Sequence, residues 1–144
     1  MRVERHRILR ADRHTVWSIV SDPDHYPDFM PNLERWETVT DGPAGIGSRY
    51  TVHWKIGAAP VGGVIELVEF DPARDLAWVS ITGVSIRGRF RLRDAGHDGT
   101  KVTFRLTYQS PGGVLGLLAD HIASRQVGRV LSASLDNLRR LVEP

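Results

Sequence analysis

Residues 100–142 read TKVTFRLTYQSPGGVLGLLADHIASRQVGRVLSASLDNLRRLV, and the apolar period changes inside that stretch. In its first part Val102, Phe104, Leu106 and Tyr108 alternate with Lys101, Thr103, Arg105 and Thr107. A period of two with one apolar and one polar face is an antiparallel strand covered on one side and wet on the other. From Gly113 to Val142 the spacing becomes helical, with Val127, Val130, Leu131, Leu135, Leu138, Leu141 and Val142 on one stripe. At ~1.5 Å per residue such a helix reaches ~45 Å, enough to cross a whole sheet. Gly112-Gly113, Gly116 and Gly128 are places where it could bend.

Upstream, the period of two extends back to Leu33. Tyr50, Val52, Trp54 and Ile56 alternate with Arg49, Thr51, His53 and Lys55. Ile86, Phe90 and Leu92 alternate with Arg87, Arg89, Arg91 and Arg93. Turn signals separate these runs at Asp41-Gly42-Pro43, Gly57 to Gly63, Asp71-Pro72, Gly83 and Gly96 to Gly99. About six strands are expected here. Before them, Val3 to Leu9 reads as a strand with poor alternation. Asp12 is the expected N-cap of a short helix carrying Val16, Trp17, Ile19 and Val20, which Asp22-Pro23 ends. Asp24 is the expected cap of a second short helix, with Pro27 in its first turn and Pro31 as its stop. Strands in a run with segregated helices give an α+β fold. A long helix against one curved antiparallel sheet leaves a gap where a ligand would sit.

Composition narrows the classes. The 144 residues, 41% hydrophobic and 25% charged, are expected to form a single domain over 1–144. The absence of cysteine excludes disulfides, Cys-ligated zinc and thiol nucleophiles. A net charge of +2 does not imply strong nucleic-acid binding. No apolar run reaches the length of a signal peptide or a membrane span, so no integral membrane segment is expected and the cytoplasm is the expected location.

Several stretches resemble one family. They are Ala-Asp-Arg-His-Thr-Val-Trp (11–17), Asp-Pro-Asp-His-Tyr-Pro-Asp-Phe-Met-Pro (22–31), Gly-Ile-Gly-Ser-Arg-Tyr (45–50) and the leucine-rich tail after Pro111-Gly112-Gly113. Together they resemble the START/Bet v 1-like (SRPBCC) superfamily, and within it the polyketide cyclase/dehydrase and lipid-transport group. The resemblance implies a helix-grip fold: a curved seven-stranded antiparallel sheet around a long C-terminal helix, with two short helices after the first strand. It also implies a deep, mostly apolar cavity that takes a lipid, a quinone or a polyketide-like molecule. Some members close aromatic rings or dehydrate intermediates there, but no cyclase catalytic motif is distinct in this chain.

Two groups of residues are candidates for that cavity. The aromatic and apolar set is Tyr26, Phe29, Met30, Trp36, Tyr50, Trp54, Trp78, Phe90, Phe104 and Tyr108, whose positions serve equally as core. The second group lies on the front half of the long helix. Extending its stripe backwards gives Ser124, Asp120 and Leu117 on the inner face, with His121 and Arg125 on the flank. A polar patch there could orient a ligand or supply acid–base groups, with Tyr50 or Tyr108 as proton donors.

Other features are weaker. The ladder Arg87, Arg89, Arg91 and Arg93 is expected on a solvated outer face, the alternative being a docking surface for an acidic partner such as an acyl carrier protein. The cluster Asp22, Asp24, His25 and Asp28 is explained by helix capping, and the scattered histidines show no metal-site spacing. No metal or cofactor is expected. The leading expectation is a binder of a hydrophobic small molecule. The alternatives are a polyketide aromatase/cyclase or dehydratase in the same cavity and a protein-interaction module.

Overall fold

The computed structural model describes residues 1–56, 59–83, 85–108 and 114–144, and the side chains of these except at 59–61 and 114–123. Strand β1 (Arg2–Leu9) leads into helix α1 (Arg13–Val20), a 3₁₀ turn (Pro23–His25) and the short helix α2 (Tyr26–Phe29). Six strands follow: β2 (Leu33–Thr38), β3 (Arg49–Ile56), β4 (Ala59–Asp71), β5 (Asp75–Ser80), β6 (Ile86–Asp94) and β7 (Thr100–Tyr108). Helix α3 (Val114–Val142) ends the chain. The strands form one seven-stranded antiparallel sheet in the order β1-β7-β6-β5-β4-β3-β2. This is the helix-grip arrangement, a curled sheet gripping a C-terminal helix.

Alternation fixes which way each strand faces. In β7, Val102, Phe104 and Leu106 are buried while Lys101 is exposed and Thr103 and Arg105 are half-buried. Phe90 and Phe104 sit directly opposite each other across β6 and β7, and their rings stack 4.2 Å apart. Such cross-strand aromatic pairs stabilise a sheet beyond the area they bury. The poor alternation of β1 also has a cause. Val3, Arg5, Arg7 and Leu9 share one phase, and the two arginines meet α3 rather than the core. Arg7 Nε donates to Asp136 at 3.1 Å, and Arg5 lies over Gly128, whose missing Cβ would stand 2.4 Å from Arg5 Nη2.

Local capping follows the sequence at α1 and departs from it at α2. The Asp12 carboxylate accepts from Thr15 N at 2.8 Å, as an N-cap should. Before α2, Asp22 rather than Asp24 is the cap: it accepts from Asp24 N and starts the 3₁₀ turn. Asp24 instead accepts from the Thr38 hydroxyl at 3.0 Å, tying this corner to β2. The glycine-rich segment also differs from its reading as one long turn. Ile56 pairs with Ala59, so Gly62 and Gly63 lie inside β4, while Gly57 is outside the described residues.

On α3 the buried stripe is Val127, Val130, Leu131, Leu135, Leu138 and Val142. Leu141 departs from it and is 46% exposed, because Val142, four residues after Leu138, takes the inward place. Ser134 is buried among these leucines and donates to Val130 O at 2.7 Å, a bond within its own helix. Asn137 donates to Phe29 O at 3.1 Å and fastens α3 to α2.

Candidate functional site

The inner sheet face and the short helix α2 carry most of the aromatic residues, which form two overlapping groups. The first is a ring-on-ring core. Tyr26 contacts Phe29, Trp36, Trp78 and Phe90 with centroids between 5.2 and 5.8 Å. Phe90 and Phe104 continue it, and Tyr26, Phe29, Phe90 and Phe104 are at most 1% exposed. The Tyr26 hydroxyl donates to Val20 O at 2.8 Å, joining α2 to the end of α1. Burial, with Tyr50 and Asp22 adding to it, pushes that phenol well above its ordinary pKa. It is a neutral donor committed to the backbone.

The second group borders a cavity. Met30, Trp36, Trp54 and Trp78 line it, together with Val52, Ile65 and Ile86. Gly62, Gly63, Ser80 and Thr82 form its more polar border. The enclosed volume is about 20 Å³, room for a water or so, within about 400 Å³ of empty space that includes the part open to solvent. Backbone closeness shapes the glycine border. At Gly63 φ is +132°, and a Cβ there would meet Thr82 O at 2.4 Å, so a side chain cannot be added without moving β4 away from the Thr82 backbone.

Polar groups at this cavity are few and mostly engaged. Trp54 Nε1 donates to Pro31 O at 2.9 Å. Ser80 Oγ accepts from Ile86 N and Thr82 Oγ1 from Val64 N, both at 2.9 Å. Trp36 is the exception: its Nε1 is buried and has no hydrogen-bond partner among the described residues. A buried donor left unpaired costs about 1–3 kcal/mol. Beside it, the Tyr50 ring packs on Trp36 at 5.0 Å. Burial raises the Tyr50 phenol, Ser48 opposes that by a hydrogen bond, and Asp24 and Asp22 raise it further.

Tyr108, Ser124 and Arg125 are not among the described residues that border this cavity. Tyr108 is half-buried near the chain start, its hydroxyl 3.0 Å from Met1 Sδ. Ser124 is half-buried on α3. The side chains of Leu117, Asp120 and His121 are outside the described residues. Arg125 is exposed in a shallow groove with Arg5 and Arg129. The cavity residues the aromatic set did not contain are Val52, Ile65, Ile86, Ser80, Thr82 and the two glycines. Val52 and Ile86 stand in the apolar phase of their strands, which was a usable signal. Ser80, Thr82 and the glycines carried none until β4 and the end of β5 were brought together.

Neither the acidic corner nor the arginine ladder adds to this site. His25 stands between Asp22 (3.7 Å) and Asp28 (3.2 Å), and among the described residues no three His, Cys, Asp or Glu side chains are grouped to hold a metal. The arginines lie on the outer face, where Arg89, Arg91 and Arg93 surround Asp75. Among the described residues no helix is long and apolar enough to cross a membrane.

The same fold occurs in solved structures of low sequence identity. The protein TTHA0849 of Thermus thermophilus superposes with a TM-score of 0.84 at 20% identity, over 99% of this chain and 97% of its own. The Zhui aromatase/cyclase of Streptomyces sp. R1128 gives 0.81 at 18% identity, over 99% and 93%. A START superfamily protein from Mycobacterium smegmatis gives 0.79 at 17% identity, over 98% and 96%. At these identities the likeness is one of fold. No curated protein matches the sequence. The family pattern described as polyketide cyclase/dehydrase and lipid transport matches residues 1–143, and with the sheet, the gripped helix and the apolar cavity in place the chain belongs to that family.

Proposed function

We propose that this protein binds a flat, hydrophobic small molecule bearing a hydrogen-bond acceptor, a quinone or polyketide-like carbonyl compound, in the cavity bordered by Trp36, Trp54 and Trp78. One observation carries the reading: Trp36, which borders a mainly apolar cavity, has a buried indole N–H with no partner among the described residues. Apolar walls supply affinity without direction, and one unpaired donor supplies the direction. The enclosed volume is smaller than such a ligand, so entry requires the wall residues to separate.

The test compares two probes with one skeleton, 2-methyl-1,4-naphthoquinone and 2-methylnaphthalene, titrated against tryptophan fluorescence. The quinone is expected to bind roughly tenfold tighter than the hydrocarbon, the value of one hydrogen bond to a buried donor. Trp36→Phe keeps a ring and removes the donor, and it should bring the two affinities within about twofold. Failure of both probes to bind, or an unchanged preference in Trp36→Phe, would overturn the reading.

A further inference from the structure

On the opposite side of the sheet, away from the cavity, β1, β7 and β6 form a second depression of about 270 Å³. Among the described residues five cations line it, Arg2, Arg89, Arg91, Lys101 and Arg105, with Thr103 between them and a single carboxylate, Glu4. Register explains the crowding. Arg105 lies directly opposite Arg89 on one side and Glu4 on the other, and Arg91 is opposite Thr103. Like charges directly opposite on adjacent strands are unfavourable. The neighbouring carboxylates relieve only part of this. Asp75 and Glu69 serve Arg89, Asp75 also serves Arg91, and Glu4 is 3.7 Å from Arg2. Among the described residues neither Arg105 nor Lys101 forms an ion pair within 4 Å, Glu4 opposite Arg105 offsets only part of its repulsion, and Arg89 Nε is buried without an acceptor. Burial, with the charges of Arg2 and Arg89, pushes the Arg105 guanidinium below its ordinary pKa.

We propose that this outer-face depression is a binding site for a diphosphate group, held between Arg105, Arg89 and Lys101. Guanidinium forks match phosphate oxygens in geometry as well as charge. Five clustered cations call for more than the single charge of a carboxylate, and a diphosphate supplies several in a compact frame. Among the described residues no aromatic ring lines the depression, so a nucleobase would find no ring there to stack on. The site is separate from the apolar cavity and independent of its ligand.

Inorganic pyrophosphate is the probe, titrated by calorimetry into the whole chain at constant ionic strength. Saturable one-site binding is expected, weakened about tenfold in Arg105→Gln and in Lys101→Gln, neither of which breaks an ion pair. Arg35→Gln removes the same charge from the distant Arg35–Glu37 pair and should change affinity less than twofold. Absent or non-saturable binding, or an equal loss in Arg35→Gln, would overturn the proposal. So would capture by phosphatidic acid vesicles without any response to pyrophosphate, because that would reveal a diffuse basic surface instead of a site.

Discussion

Gly88 is the position where one added carbon tests the packing of the whole inner face. It occupies the inward phase of β6 between Ile86 and Phe90, directly opposite Trp78. A Cβ at Gly88 would stand 2.0 Å from Trp78 Cζ2 and 2.3 Å from Cε2. Restoring an ordinary carbon contact of ~3.5 Å requires moving the indole by roughly 1.5 Å. Trp78 is 4% exposed and surrounded by Tyr26, Phe90 and Phe104 with centroids 5.8 to 6.0 Å away. Overpacking of this kind costs ~1–3 kcal/mol, and a gain of ~0.5–1 kcal/mol from removing a strand glycine offsets part of it. Gly88→Ala is therefore expected to lose about 1–2 kcal/mol in urea unfolding followed by circular dichroism. Trp78→Leu removes the obstacle while creating its own cavity, at ~2–4 kcal/mol. In that background the Gly88→Ala cost should fall to ~0.5 kcal/mol or below. If the two losses add to within ~0.5 kcal/mol, the indole is not what excludes a side chain at 88, and the reasoning fails.

Further outcomes concern the outer face and the helix. Burial alone would raise Asp75, but the Arg93 hydrogen bond and the charges of Arg93, Arg89 and Arg91 outweigh it and hold the carboxylate below its ordinary pKa. A depressed folded-state pKa contributes stability that is present above the unfolded value near ~4 and lost as pH falls through the folded value. Asp75→Asn should thus cost ~1–3 kcal/mol at pH 7, and thermal melts of mutant and wild type should converge as the pH falls through the lowered folded value; a gap that persists at the acid end would show a packing defect instead. Gly128→Ala meets only the end of the long Arg5 side chain, so the helix-propensity gain should prevail, with about 0.5 kcal/mol of added stability in chemical denaturation. A loss of more than about 1 kcal/mol would mean that Arg5 is held in place.

Period is a local property and was legible; capping was legible at α1 but not before α2, where Asp22 stands in the place expected of Asp24. The change from period two to helical spacing after Tyr108 placed β7 before α3, and Asp12 marked the start of α1. The inward phase of Tyr50, Val52, Trp54, Ile86, Phe90 and Phe104 was also readable, because strand side chains alternate whatever their partners. The division of that inward set was not readable. Phe90 and Phe104 stack ring on ring while Trp36 and Trp54 border a cavity, and all are simply large, apolar and inward in the sequence. At Gly88 the apolar phase of β6 has no side chain, and only register sets Trp78 against it. Asp75 gave no sign that it would hold three arginines, nor Arg105 that it would lie directly opposite Arg89. Local sequence determines where a side chain points from its own backbone. What it meets there depends on strand register and on the path of α3, and only the assembled fold brings those together.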